Sequence, residues 1–141
     1  MKKFYVASRL SNAEMQRVLV AELVKLGHQL TYDWTSHGSV NHDPGRWSEV
    51  AWNETLGIME ADFVVVLLPG GQGTHVELGI ALGAGKRTFV VGDDLSQEEL
   101  GASYRCIFMD HPHVTRIKRL GIDGFPRPLG EVAADVVRAL A

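Results

Sequence analysis

From Phe63 to Leu68 the chain reads FVVVLL, an apolar run of strand length with no polar break. A strand that tolerates no polar face is one buried on both sides, the pattern of a parallel sheet covered by helices above and below. The run ends in the turn PGGQGT and continues as HVELGIALGAG. Between Asp62 and Lys86, Glu77 is the only Asp, Glu, Lys or Arg. A lone carboxylate in such a setting is expensive to desolvate unless it is paired or used. Groups of this kind collect at sites that do chemistry, so Glu77 is the candidate working residue.

The rest of the chain fits the same architecture. Phe4 to Ala7 is a short β-rich run. Residues 13–26 place Met15, Val18, Leu19, Leu23 and Leu26 at helical spacing, with Ser11 or Asn12 as cap and Gly27 as stop. Gln29 to Thr35 reads as a second strand, 36–46 as a polar loop, and 47–60 as a helix with Val50, Ala51, Leu56 and Ile58 turned partly inward. A helix is expected from about His75 to Ala84, strands over Thr88 to Val91 and, more weakly, Cys106 to Met109, and a closing helix over Val132 to Leu140. Alternation of strand and helix predicts one α/β domain over residues 1–141: a three-layer sandwich with a Rossmann- or flavodoxin-like parallel sheet. Ligands bind such sheets beyond the carboxyl ends of the strands. The loops Ser8 to Asn12, Thr35 to Trp47 and Pro69 to Thr74 therefore matter most.

Bulk properties narrow the partners. The net charge is -3, with 14 Lys and Arg against 17 Asp and Glu, which leaves no electrostatic footprint for a nucleic acid polymer or an anionic membrane. No apolar stretch approaches the ~20 residues needed to span a bilayer, and MKKFYVAS does not open a secretion signal. With one cysteine, Cys106, no internal disulfide forms. A cytoplasmic protein is expected. The six histidines form no HExxH, so neither a zinc site nor any other metal or cofactor is expected.

In PGGQGT, the glycines Gly70, Gly71 and Gly73 permit close backbone approach and positive φ, and Thr74 opens a helix whose free N–H groups suit an anion or a sugar hydroxyl. No Lys-Ser/Thr follows, so this is not a Walker A loop. The bland alternative is a tight strand-to-helix turn. Thr74 to Glu77 also fits a capping box, in which Glu77 would only bond back to the cap. Against that, Ile80, Ala81 and Ala84 make the helix apolar almost all round, which points to burial. Asp62 and Glu54 are possible second carboxylates. The alternatives are a turn cap for Asp62 and a solvated helix face for Glu54. Trp34, Trp47 and Trp52 could wall a pocket for a flat ring or serve as core. Ser8 and Arg9 could hold a phosphate or a hydroxyl.

Three segments together, FYVAS, NETLGIMEADFVVVLLPGGQGTHVELGIALGAGKR and IFMDHPHV, resemble the nucleoside 2-deoxyribosyltransferase family, which includes deoxynucleoside 5'-monophosphate N-glycosidases. The resemblance covers most of residues 3–115. It implies a small α/β domain that cleaves or transfers at the N-glycosidic bond of nucleosides or their 5'-monophosphates. It puts the family's nucleophilic glutamate on Glu77 and its orienting tyrosine on Tyr5. The family aspartate that contacts and helps protonate the leaving base falls on Glu54, a longer side chain. The aspartate before the buried strand falls on Asp62, and Ser8 and Arg9 resemble the phosphate ligands of monophosphate-specific members. Family members often complete a pocket with a neighbouring subunit, so a homodimer or larger homo-oligomer is implied. The chemistry suits these residues: a carboxylate stabilises or captures an oxocarbenium-like centre, and a second group protonates the departing base. Attack by water makes a hydrolase, attack by another base a transferase.

Two other readings stay open. PGGQGTHVE also resembles the PGGxGTxxE motif of lysine-decarboxylase-like phosphoribohydrolases, although the earlier GGG loop of that family is missing. A non-catalytic nucleotide-binding or sensor domain, or a structural subunit with Glu77 as a cap, would also use the same loop.

Overall fold

The computed structural model describes residues 1–93 and 106–141. Its elements in chain order are β1 (Lys3–Ala7), α1 (Ala13–Lys25), β2 (Gln29–Leu30), α2 (Trp47–Glu60), β3 (Phe63–Leu67), α3 (Gln72–Gly83), β4 (Arg87–Gly92), β5 (Val114–Lys118) and α4 (Leu129–Leu140). The five strands form one parallel sheet in the order β2-β1-β3-β4-β5. This is the flavodoxin-like order, and the strand order reverses between β1 and β3. Helices leave the sheet on opposite sides there, which opens a crevice at the carboxyl ends of those two strands.

Strand alternation divides the core in two. Phe4, Val6, Phe63, Val65 and Phe89 point to one side, where Leu19 and Leu23 of α1 and Val132, Ala133 and Val136 of α4 cover them. Tyr5, Ala7, Val64, Val66 and Val90 point to the other, against Ile58 of α2 and Leu78, Ala81 and Leu82 of α3. All five residues of β3 are buried, as its unbroken apolar run requires.

Five expectations need correction. The second strand keeps only Gln29 and Leu30, because Asp33 accepts from the Thr35 amide (2.9 Å) and hydroxyl (2.5 Å) and turns the chain into a 3-10 turn over Trp34–Ser36. The weak strand expected at Cys106 to Met109 is a 3-10 turn over Ile107–Asp110. The fifth strand lies further on, at VTRIK. As an edge strand it buries only Ile117, and its Arg116 and Lys118 masked the pattern. Finally, α3 begins at Gln72 rather than near His75, and α4 at Leu129 rather than Val132. In α2, Val50 and Ile58 are buried as expected, whereas Ala51 and Leu56 are exposed.

Candidate active site

The early start of α3 decides the role of Glu77. The helix cap is Gly71, whose N–H donates to the Thr74 hydroxyl at 3.1 Å. Thr74 is therefore the third helical residue, reaching back to the cap, and Glu77 sits in the second turn. The capping-box alternative for Glu77 does not survive this register. Its side chain instead turns inward and is 8% exposed.

A cavity of about 450 Å³ opens at the crevice between β1 and β3. Its floor is Ser8, Arg9 and the turn Gly71, Gln72, Gly73 and Thr74. One wall carries Glu54 and Glu77, and the outer wall is Trp34 and the segment His37 to Asn41. By helix geometry the opening N–H groups of α3 have no intrahelical acceptor, and Gln72, Gly73 and Thr74 line this space. A second cavity of about 530 Å³ lies against another face of α3, bounded by residues such as Val76, Leu82 and Phe108. It is larger, but no carboxylate among the described residues lines it, whereas Glu54 and Glu77 line the smaller one.

Burial pushes the Glu77 carboxyl up to about 8; the Tyr5 hydroxyl draws it down and the Glu54 charge adds to the rise. Tyr5 is fully buried in the middle of β1, beside the Glu77 carboxyl. Burial, then the Glu77 charge, raises its own pKa, so its hydroxyl keeps its proton and can donate. Neither the Tyr5 hydroxyl nor Glu77 Oε2 closes a hydrogen bond of regular geometry among the described residues. Two buried polar atoms, one of them on a residue that lines the cavity, are thus left without a full set of partners, which is uncommon away from functional sites. Glu54 is half-buried on α2; burial raises its pKa, against a lowering by the nearby His37 charge.

Other expected residues take different places. Ser8 spends its hydroxyl on the fold: it donates to Leu67 O at 3.0 Å and accepts from Asn12 Nδ2 at 3.0 Å. Asn12 also donates to Pro69 O at 2.8 Å. Its side chain therefore ties the loops after β1 and β3 together instead of capping α1. Arg9 is exposed at the cavity rim. Trp34 is buried, its indole N–H donating to Val6 O at 2.7 Å. Gly70 does not line the cavity. A Cβ there would come within 2.6 Å of Thr74 Cγ2, so glycine is needed for the turn to close on Thr74. The expected positive φ is absent at Gly70, Gly71 and Gly73; Gly71 and Gly73 have open space where a side chain would stand. Trp47 and Trp52 lie exposed on α2 and do not line the cavity.

Asp62 does not join this group. It is exposed at the amino end of β3, where its carboxylate accepts from the Lys3 N–H at 2.7 Å. Five residues of strand, roughly 16 Å at ~3.3 Å per residue, separate it from the cavity. Among the described residues no cluster of three or more His, Cys, Asp or Glu could hold a metal ion. No described helix is long and apolar enough to cross a membrane.

Two positioning residues escaped sequence reasoning. Gly57 of α2 is one: a Cβ there would lie 3.1 Å from Tyr5 Cδ2 and 2.8 Å from Tyr32 Cβ. Its absence lets α2 press onto β1 and seat the Tyr5 ring. A glycine inside an otherwise helical pattern was the available signal. Asn12 is the other, and only the fold reveals its bridge.

No protein-family model and no curated protein matches the chain. Among solved structures, it is similar to the Clostridium botulinum CMP N-glycosidase BcmB. The match has a TM-score of 0.61 at 18% identity and covers 95% of this chain and 99% of that one. The two share a fold. Coverage of nearly the full length of both chains agrees with the small α/β architecture expected from the sequence.

Proposed function

We propose that this protein cleaves or transfers at the N-glycosidic bond of a (deoxy)nucleoside or its 5'-monophosphate, with Glu77 as nucleophile. The carrying observation is Glu77 itself: a nearly buried carboxyl on a cavity wall, backed by a protonated Tyr5 hydroxyl. Ionised, it stabilises or captures the anomeric carbon as the base departs. Tyr5 orients it. Glu54, raised in pKa by burial, protonates the base. Arg9 and the opening N–H groups of α3 receive a 5'-phosphate; with the Ser8 hydroxyl committed to Leu67, its contribution is the shape of the floor. Trp34 walls the pocket. The CMP N-glycosidase with the same fold supports this substrate class.

The test is incubation with ribo- and deoxyribonucleosides and their 5'-monophosphates, followed by chromatography for free base. Base release that is lost in Glu77→Ala supports the reading, and full activity of that variant ends it. Ribose 5-phosphate as the sole sugar product, with no deoxy substrate cleaved, would restrict the activity to ribonucleoside 5'-monophosphates, the substrate class a phosphoribohydrolase shares. Transfer to an added base would make the protein a transferase.

One observation favours a second reading. At a pKa of about 8, the unliganded Glu77 is mostly protonated at neutral pH, as suits a site that binds without cleaving. A stable nucleotide complex with no base release would select it. We also propose a homo-oligomer, because Trp52 and Met59 of α2 and Val76 of α3 present apolar side chains to solvent. Light scattering that gives a monomer mass would reject it.

A further inference from the structure

His37 lines the same cavity as Glu54, from the outer wall, and nothing above assigns it a role. Two contacts place its ring. Nδ1 lies 2.9 Å from Gly38 O, in a turn shaped by Gly38 at φ +67, and the Tyr32 ring lies alongside with centroids 6.3 Å apart. A carbonyl oxygen only accepts, so Nδ1 carries the hydrogen and donates. In the neutral ring this leaves Nε2 with a lone pair. Nε2 is buried and has no partner among the described residues. Glu54 is close enough to feel the charge of His37, yet no hydrogen bond joins the two. Buried polar atoms are nearly always paired. An orphan acceptor on the wall of a ligand-sized cavity, next to a second acceptor, is a site waiting for a donor.

We propose that His37 selects the nucleobase: Nε2 accepts one N–H of an exocyclic amino group, and Glu54 accepts the other. This rests on the nucleotide reading above and extends it to amino-bearing bases, such as cytosine and adenine, over their keto counterparts uracil and hypoxanthine. An amino group brings two hydrogens to two acceptors, and a carboxyl retains an accepting oxygen in either protonation state. A keto oxygen at the same place would set its lone pairs against that of Nε2 and leave the histidine unsatisfied.

The test compares the 5'-monophosphates of cytidine with uridine and of adenosine with inosine, by kcat/KM for base release and by calorimetric binding to Glu77→Gln. The amino member of each pair is expected to lead by at least about tenfold. His37→Asn can keep the bond to Gly38 but does not reach the Nε2 position, and should bring the ratio near one. His37→Gln reaches that position with its terminal amide and should retain most of the preference. A wild-type protein without preference overturns the inference. So does a His37→Asn variant that slows amino and keto substrates alike, which would make His37 a loop support. Base release from none of the four defeats cleavage, and calorimetry then judges selection alone: amino-selective binding lost in His37→Asn upholds it, equal binding overturns it, and no binding defeats both.

Discussion

The two faces of one sheet have been put to opposite uses. Phe4 and Val6 alternate with Tyr5 and Ala7 along β1, so a single strand serves both. Toward α1 and α4 the interior is almost wholly apolar among the described residues, with Gln16 of α1 as a buried polar exception. Toward α2 and α3 the same strands meet a Tyr hydroxyl, a buried Glu and a half-buried Glu at the carboxyl edge. The first face contributes cohesion. The second gives some of that up to keep ionisable groups out of water, where their pKa values move into a useful range.

This contrast can be broken from either side. The largest expected effect is Glu77→Ala: base release falls by on the order of 10⁴-fold, followed by chromatography, while the thermal midpoint stays close to wild type. On the apolar face the pattern reverses. Phe63→Ala empties a packed position and should lower stability by about 3–5 kcal/mol in denaturant titrations, with kcat/KM of the folded fraction unchanged.

Protonation of Glu77 supplies a third test. Its folded pKa of about 8 lies above the ordinary 4.5, so the folded state holds the proton more tightly. That contribution is fully present below pH 4.5 and is lost as pH rises toward 8. Stability should therefore fall across this window, by on the order of 1 kcal/mol per pH unit, and Glu77→Gln should flatten the dependence. A wild-type stability that climbs from pH 5 to 8 contradicts the burial argument. Tyr5→Phe removes the hydroxyl that draws the Glu77 pKa down, so the rising limb of kcat/KM against pH should move above 8, with about tenfold less activity at pH 7. The smallest effect belongs to Gln16. Neither of its amide atoms has a partner among the described residues, so Gln16→Met should be neutral or stabilising by about 1 kcal/mol. A clear loss in thermal melts would show that Gln16 is tied to something in solution.

The fold was legible because β3 and α3 declare themselves: an unbroken apolar run and a nearly charge-free helix have few other homes. β5 was not, because an edge strand can carry Arg116 and Lys118 without cost. The sequence pointed to Glu77 through its isolation, but the register that separates a cap from an inward carboxyl depends on where α3 starts. That start is set by a bond between Gly71 and Thr74 which no spacing rule specifies. Asp62 shows the opposite limit. Its position in the motif suggested a site role, yet it lies at the wrong end of its strand. His37 and Asn12 were hidden because their significance comes from loops that only the folded sheet brings side by side.

Asn12 has a mechanical consequence. Through Ser8 and Pro69 it rivets the ends of two neighbouring strands to each other, so the base of the crevice behaves as one plate. A guest settling there cannot spread that plate without breaking several bonds at once. Accommodation of different guests must come from the opposite bank, where Val40 leans on the Trp47 indole through one 2.7 Å contact. Reshaping that bank is the economical route to altered preference, with the anchorage of Glu77 left untouched.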